Sequence, residues 1–258
     1  MITDSFDNKS EAIISPRAFF GERQKLCDIA VVTFSREILA NVLDRYPHEI
    51  IGEIKAVNHI RSLYLIEVDG MKLGFYITEV GSMACSTDII EVNWKIGADK
   101  FILFGSCGDL DPDKTSGKYI IPTAAYRDEG MSYHYAPPSD YIDIRNADLM
   151  ATWFEEMSLP YVKGRVWTTD AIYMETRDLV DKRKKEGCIA VEMELAGVQA
   201  VCDYYGFELY DFLCAGDIVD QSDYTPDGLH DANHSPDKFD VAVKIAKRIA
   251  DDGSLSGH

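Results

Sequence analysis

The sequence predicts an α/β fold with a largely parallel sheet, and three observations lead to this prediction. Short apolar runs rich in β-branched residues alternate with segments whose apolar residues recur at helical spacing. Asp69-Gly70 lies between two such runs, which is the signal of a type I′ hairpin and adds an antiparallel pair. No linker, internal repeat or low-complexity segment interrupts the pattern. We therefore expect a single domain over residues 1–258, with residues 1–20 and 251–258 peripheral.

The predicted strands are short apolar runs in which β-branched and aromatic residues are frequent, as is typical of a buried pleated surface. Pro122 interrupts one of them. Because proline cannot donate to a ladder, Pro122 indicates an edge strand or a bulge. The predicted strands span residues 28–34, 62–68, 71–80, 101–108, 117–126, 163–173 (with an exit loop) and 208–217.

The predicted helices lie between these strands, where apolar residues recur every three or four positions. Ser86 or Thr87 is the expected N-cap of one helix, and Gly97 follows its end. Ser235 is a further predicted N-cap, with Pro236 at the first helical position. The predicted helices span residues 36–46, 86–100, 146–157, 176–187, 195–205 and 235–250.

The composition argues against several classes of partner. A formal net charge of −18 repels phosphate backbones, so we expect no nucleic-acid partner. The six cysteines form no C-x-x-C pair and several lie in apolar runs, which predicts reduced, buried thiols in a cytoplasmic protein. No stretch approaches the ~20 apolar residues of a membrane span, and the polar, acidic N-terminus is not a signal peptide. We therefore expect no membrane partner.

Candidate functional residues follow three predicted strands, where ligands collect in open α/β sheets. The first candidate is the glycine-rich sequence at 104–109. Its glycines let the backbone approach a ligand, and the Ser106 hydroxyl with successive backbone N–H groups could hold an anion. The sequence matches neither a dinucleotide fingerprint nor a Walker loop. A structural turn is the alternative interpretation.

The other two candidates are carboxyl groups. Asp217 follows an apolar strand, and a carboxyl group at the rim of an apolar pocket can keep a proton and act as a general acid. An Asx-turn or a helix cap is the alternative. Glu192 and Glu194 lie at or before the start of the helix at 195–205. They either complement the helix dipole or accept hydrogen bonds from a vicinal diol such as that of ribose, with Met193 as an apolar wall or a core residue.

Three other polar segments are weaker candidates. His230 and His234 have i,i+4 spacing, but no third ligand is evident, so a surface turn is favoured over a metal site. The basic run at 182–185 is typical of a solvated helix face. The dense polar segment at 126–135 is either an active-site or interface loop or plain surface.

Taken together, the segments FGSCGDL, IIPTAAYRDEGMSYHY, TTDAIYMETR, VEMELAG and AGD resemble the nucleoside phosphorylase superfamily. They occur in the family's order from about Asp28 to Ile249. This family includes hexameric purine nucleoside phosphorylases, uridine phosphorylases and methylthioadenosine nucleosidases. The resemblance implies a single three-layer α/β/α domain around a mixed, twisted sheet. It also implies a homo-oligomer, either a dimer, a trimer or a hexamer, with sites near the subunit interfaces.

The resemblance implies roles for individual residues around the sugar and the base. Glu194, with Glu192 beside it, resembles the glutamate that holds the ribose hydroxyls, and Met193 resembles the methionine against the sugar. Asp217 resembles the aspartate that protonates or hydrogen-bonds N7 of a purine. Ile172 falls where an aromatic residue often stacks on the base.

The phosphate site departs from the family pattern. Gly105 and Ser106 resemble the phosphate-contacting turn, but Leu103 stands where phosphorylases usually carry an arginine. Arg36 lies near the N-terminal phosphate loop without being in register with its arginine. Arg61 falls approximately in the region that supplies an arginine to a neighbouring subunit. Losing one bidentate phosphate ligand removes charge-assisted bonding.

The sequence therefore predicts a phosphorylase that uses phosphate as co-substrate, with no cofactor or metal, to convert a purine nucleoside into free base and ribose 1-phosphate. A proton donor at the base and a held diol would assist an oxocarbenium-like transition state. Leu103 also suits a nucleosidase that uses water, although Glu37 is only close to the water-activating position, which Ile38 occupies. Gly216 replaces a serine that commonly precedes the aspartate, which implies altered base recognition. A uridine phosphorylase and a non-catalytic nucleoside binder are further alternatives.

Overall fold

The computed structural model describes residues 1–219 and 224–255, and its strands form one mixed eleven-stranded sheet. Parallel and antiparallel pairs both occur, so the predicted α/β class with a mixed sheet is confirmed. The strands are β1 (Ile29–Thr33), β2 (His48–Lys55), β3 (Ile60–Val68), β4 (Met71–Ile77), β5 (Lys100–Asp109), β6 (Tyr119–Asp128), β7 (Tyr141–Asp143), β8 (Tyr161–Thr169), β9 (Cys188–Glu192), β10 (Glu208–Val219) and β11 (Tyr224–Thr225).

Ten α-helices alternate with these strands in the described part of the chain. They are α1 (Pro16–Phe20), α2 (Arg36–Arg45), α3 (Ser82–Ile96), α4 (Pro112–Thr115), α5 (Ser132–Tyr135), α6 (Ala147–Glu156), α7 (Arg177–Lys185), α8 (Leu195–Tyr205), α9 (Leu229–His234) and α10 (Asp237–Leu255). Among the helices described, none combines the length and the apolar character that crossing a membrane requires.

Five strands of the sheet close into a ring. β5 pairs in parallel with β10, β10 pairs with β6, β6 with β8, β8 with β9, and β9 returns to β5. β1 pairs with the start of β5 on the side away from β10, and β4, β3 and β2 extend the sheet from β1. Because β1, β5 and β10 run parallel, their carboxyl ends lie at the same edge of the sheet.

The glycine-rich sequence at 104–109 belongs to β5, so the alternative interpretation as a structural turn is wrong. The parallel ladder with β10 continues as far as Asp109 and keeps this backbone extended. A Cβ atom on Gly108 would come within 2.8 Å of both the Val191 and the Val219 side chains. The glycine therefore serves the close approach of neighbouring strands, a role that local sequence cannot distinguish from a turn.

The helix predicted at 86–100 begins earlier, because Gly81 is its N-cap and Ser82 its first residue. The predicted caps, Ser86 and Thr87, are therefore wrong and lie inside the helix. Ser86 is fully buried where α3 meets α8, and a Cβ on Gly197 of α8 would approach its Oγ to 3.1 Å. The small polar residues of α3 thus allow close helix packing and do not mark a helix start.

The helix predicted at 235–250 also begins at a different residue. Ser235 ends α9 as its C-cap, and α10 starts at Asp237. The prediction of Ser235 as an N-cap with Pro236 at the first helical position is therefore wrong. A separate short helix occupies the residues immediately before, which the sequence pattern did not reveal.

Several local predictions are confirmed. Asp69 and Gly70 both have positive φ, 50° and 81°, as a type I′ hairpin requires. Gly97 ends α3 in the left-handed conformation with φ 80°. The register of β6 against β8 shifts between Pro122 and Ala124, so the proline lies at a bulge. All six cysteines are free thiols, and five of them are buried.

Candidate active site

A cavity lies at the edge of the sheet where β1, β5 and β10 end, and most of the residues singled out by the sequence line it. Residues that follow β8 and β9, residues of α9 and one residue of α10 complete its wall. The predicted site residues that line the cavity are Asp217, Glu194, Met193, Glu192, Ile172, Gly105 and Ser106.

Strand register explains why residues distant in sequence meet here. Gly108 of β5 lies opposite Asp217 of β10 on one side and opposite Val191 of β9 on the other. Asp217 and the residues that follow Val191 therefore flank the same strand. Gly105 and Gly108 of β5 both line the cavity and carry no side chain, so the backbone of β5 forms this part of the wall.

Both carboxyl oxygens of Glu192 accept hydrogen bonds from other groups of the protein. Its Oε1 accepts a hydrogen bond from the Thr168 hydroxyl, and its Oε2 accepts from the backbone N–H groups of Glu194 and Leu195, each at 2.7 Å. Burial raises the pKa of this carboxyl group, although the three hydrogen bonds oppose the shift. Glu192 thus fixes the start of α8 and the position of Glu194.

Glu194 borders the cavity from a nearly buried position. Its Oε1 accepts a hydrogen bond of 2.7 Å from the backbone N–H of Gly81, the N-cap of α3. Burial first, and then the charge of Glu192, raise the pKa of Glu194. A ligand that donates hydroxyl groups to this carboxylate would favour its ionised form and reverse part of the shift.

Asp211 of β10 lies near enough to these two glutamates for their charges to affect it, and sequence reasoning missed it. It is 2% exposed, and neither of its carboxyl oxygens has a hydrogen-bond partner among the described residues. Burial, together with the charges of Glu192 and Glu194, raises the pKa of Asp211 well above its ordinary value. Burial therefore favours the protonated form of the Asp211 carboxyl group.

Asp217 meets two side chains that the sequence analysis did not select. The Tyr224 hydroxyl hydrogen-bonds to the Asp217 carboxylate. Glu175 also lines the cavity, near enough to Asp217 for the Asp217 charge to affect its pKa. Burial, and next the Asp217 charge, raise the pKa of Glu175 to about 7. Burial beside a second carboxylate therefore favours the protonated form of Glu175.

Lys238 of α10 is a cation in the cavity wall that sequence reasoning also missed. Its side chain is buried, and the ammonium group donates to the Ala232 carbonyl oxygen. Burial lowers the pKa of Lys238. Within the described part of the chain it forms no salt bridge with a carboxylate, and no other lysine or arginine lines the cavity. Ser106 lies in the same wall and hydrogen-bonds to Asn233 of α9.

The two predicted phosphate arginines and Gly216 lie outside the cavity wall. Arg36 is exposed in the first turn of α2. Arg61 binds Asp88 through both terminal nitrogens, at 2.5 and 2.9 Å. Gly216 lies at a register shift of β10, where an added Cβ would approach the Ala232 side chain to 3.1 Å. Leu103 is a core residue that is only 2% exposed.

The polar segment at 126–135 has structural contacts. Buried Arg127 donates through Nε to the Ser132 hydroxyl and packs over the Tyr133 ring. Glu129 accepts hydrogen bonds from Ser132 and from Ser82 of α3. Both charged groups bind Ser132, and Glu129 also binds α3, so the density of polar residues reflects a packed loop.

The geometry of two acids, a buried lysine and a strand-end cavity agrees with the family assignment. The chain matches the phosphorylase superfamily over residues 28–252 and therefore belongs to it. It is 26% identical over 209 residues to a DeoD-type purine nucleoside phosphorylase of Caldanaerobacter subterraneus subsp. tengcongensis, which covers 78% of this chain and 87% of the relative.

Solved structures share the fold. An AMP nucleosidase from Bacteroides thetaiotaomicron is 19% identical, with a TM-score of 0.69 and coverage of 89% of this chain and 91% of that one. A 5′-methylthioadenosine/S-adenosyl homocysteine nucleosidase from Campylobacter jejuni is 17% identical, with a TM-score of 0.66 and coverage of 86% and 97%. The nucleoside phosphorylase and nucleosidase fold predicted from the sequence is thus confirmed.

Proposed function

We propose that this protein is a nucleoside phosphorylase that cleaves the N-glycosidic bond of a purine nucleoside with phosphate, giving free base and ribose 1-phosphate. The observation that carries the proposal is the presence of Asp217, Glu194 and Lys238 in the wall of one cavity. These groups supply the three functions that phosphorolysis needs: a proton for the base, an acceptor for the sugar hydroxyls and a cation for the attacking anion. The name of the DeoD-type relative supports a purine as the base.

The sugar is held by Glu194. The ribose 2′- and 3′-hydroxyls donate to its carboxylate, while the Gly81 N–H and the Glu192 cap keep the carboxylate in place. Positive charge grows on the sugar ring as the C1′–N9 bond breaks. A carboxylate bound to the diol stabilises that charge more in the transition state than in the bound substrate.

The base leaves with a proton from the Asp217–Glu175 pair. The electron pair of the broken bond moves into the purine, and N7 takes a proton from Asp217. Glu175, whose pKa is about 7, is the neighbouring acid that returns the proton to Asp217. The Tyr224 hydroxyl orients the Asp217 carboxyl group. Ile172 and Met193 provide apolar contact for the base and the sugar.

Phosphate is held by Lys238 and Ser106. A buried ammonium group without a carboxylate partner gains an ionic partner when phosphate enters, which offsets part of its desolvation. The phosphate oxygen then forms the new bond to C1′ as the bond to N9 breaks. Lys238 thus takes the place of a phosphate-binding arginine. Leu103 is a core residue at the position where phosphorylases usually carry one, and Arg61 is bound to Asp88.

A nucleosidase that uses water is the second candidate. No arginine lines the cavity within the described residues, and the solved structures with this fold include two nucleosidases. Against this candidate, Ile38 is a buried core residue, and Glu37 is exposed and does not line the cavity. A water-activating glutamate at either position therefore has no support.

Base release from inosine, adenosine, guanosine and uridine, measured with and without phosphate, tests the proposal. We expect release of purine that requires phosphate or arsenate, with ribose 1-phosphate as the second product. Release that is equally fast without phosphate contradicts phosphorolysis and favours the nucleosidase. Preference for uridine contradicts the purine assignment. Nucleoside affinity without turnover at high protein concentration would leave only a binding function.

A further inference from the structure

Three metal-ligating side chains meet outside the cavity, on the other side of α9. His230 and His234 lie one turn apart on α9, and their ring centroids are 4.9 Å from each other. Glu37 of α2 joins them, and one ligand atom from each of the three residues lies within 4.8 Å of the other two. The sequence showed the histidine pair, but the third residue comes from a helix almost two hundred positions earlier.

We propose that Glu37, His230 and His234 form a binding site for Zn²⁺. Two imidazoles and a carboxylate form a donor set that zinc prefers, and a water molecule would complete a tetrahedron. Zinc bonds of about 2.0–2.2 Å separate tetrahedral ligand atoms by about 3.3–3.6 Å. The Glu37 and His230 side chains are 63% and 75% exposed, so rotamer changes can close the remaining distance.

His234 is already oriented for this role. Its Nδ1 lies 2.8 Å from Ser35 Oγ, and Ser35 in turn caps α2 by accepting the N–H of Ile38 at 3.2 Å. Metal-bound histidines generally fix their second ring nitrogen with such an outer hydrogen bond. With Nδ1 bound to Ser35, Nε2 is the ring nitrogen left to bind the metal. Because Glu37 Oε1 now lies 3.9 Å from Nδ1, the exposed Glu37 side chain must rotate toward Nε2 to complete the site.

The site would fasten one wall of the cavity. α9 carries Leu229 and Asn233, which line the cavity, and Asn233 is hydrogen-bonded to Ser106 of β5. A metal shared by α9 and α2 would tie this wall to the helix that follows β1. Zinc should therefore stabilise the closed wall and reduce the rate of ligand exchange, whatever reaction the cavity performs.

The test is a calorimetric titration of Zn²⁺ into the full-length, chelator-treated protein without an affinity tag. We expect one equivalent of zinc per chain and a rise in melting temperature with zinc concentration, because only the folded state holds the three ligands together. His230→Gln and Glu37→Gln should weaken binding by at least about tenfold, and Ser35→Ala by about 10–100-fold. Co²⁺ should give the visible spectrum of a tetrahedral site.

His59→Gln is the matched control, because His59 pairs with Glu79 at 3.0 Å but belongs to no group of three metal-ligating residues in the described part of the chain. This variant should retain full zinc affinity. His230 is exposed, so its replacement should leave the metal-free melting temperature unchanged, which separates loss of the site from loss of the fold. Absence of saturable binding, or equal affinity in wild type, His230→Gln and Glu37→Gln, overturns the proposal.

Discussion

Replacement of Lys238 by methionine separates the contribution of its charge from that of its packing. The side chain is 2% exposed, and methionine has a similar length and fills the same space without a charge. Hydrogen bonds to a charged group contribute about 1.5–3 kcal/mol. Loss of one such bond to phosphate should therefore raise the KM for phosphate by about 10- to 150-fold. The free energy of unfolding should be unchanged or higher, because a buried ammonium group without an ion pair is removed.

The assay is the initial rate of base release at saturating nucleoside over a series of phosphate concentrations, together with thermal unfolding with and without phosphate. Lys244→Met is the matched control, because Lys244 is an exposed residue of the same helix. It should leave both quantities unchanged. We expect the phosphate KM of Lys238→Met to rise by at least about tenfold. A KM within about threefold of the wild-type value would refute the assignment of Lys238 to phosphate.

Three further variants test the acids. Asp217→Asn should lower kcat by about 100- to 10,000-fold, the range of general acid catalysis, and wild-type rates would contradict its role. The activity of the wild type should fall as the pH rises through about 7, because Glu175 then loses its proton. The pH–rate profile of Glu175→Gln should not show this fall. The raised pKa of Asp211 means that its contribution to stability is present at low pH and is lost as the pH rises through the folded-state pKa. Chemical denaturation should therefore show that Asp211→Asn becomes more stable than wild type in alkaline buffer, and a constant difference at all pH values would contradict burial as the cause.

Much of the fold could be predicted because local patterns and tertiary packing agree. The hairpin at Asp69-Gly70, the end of α3 at Gly97 and the bulge at Pro122 each rest on backbone restrictions of the residue itself. The strand β2 was missed because Ile54 is the only one of its eight residues that is buried. An exposed edge strand carries a weak apolar pattern, so periodicity does not reveal it.

The site was predictable only where its residues have a recognisable sequence setting. Asp217 lies near the carboxyl end of β10 and Glu194 shortly after β9, and ligands collect at such strand ends. The sequence of α10 has the pattern of an ordinary amphipathic helix. Lys238 is buried only because α10 packs against β5. Glu175 and the third metal-ligand candidate, Glu37, likewise become significant only through neighbours that are remote in sequence.

The closed ring of strands also determines which part of the molecule opens first. β5 and β10 are paired on both sides, so their amide hydrogens should exchange with solvent only when the whole chain unfolds. α9 has six residues and is held mainly by a few side-chain contacts, so its amides should exchange through local fluctuations. We therefore expect any compound that binds in the cavity to enter and leave at the α9 wall, while the ladder between β5 and β10 keeps Asp217 in register with Gly108.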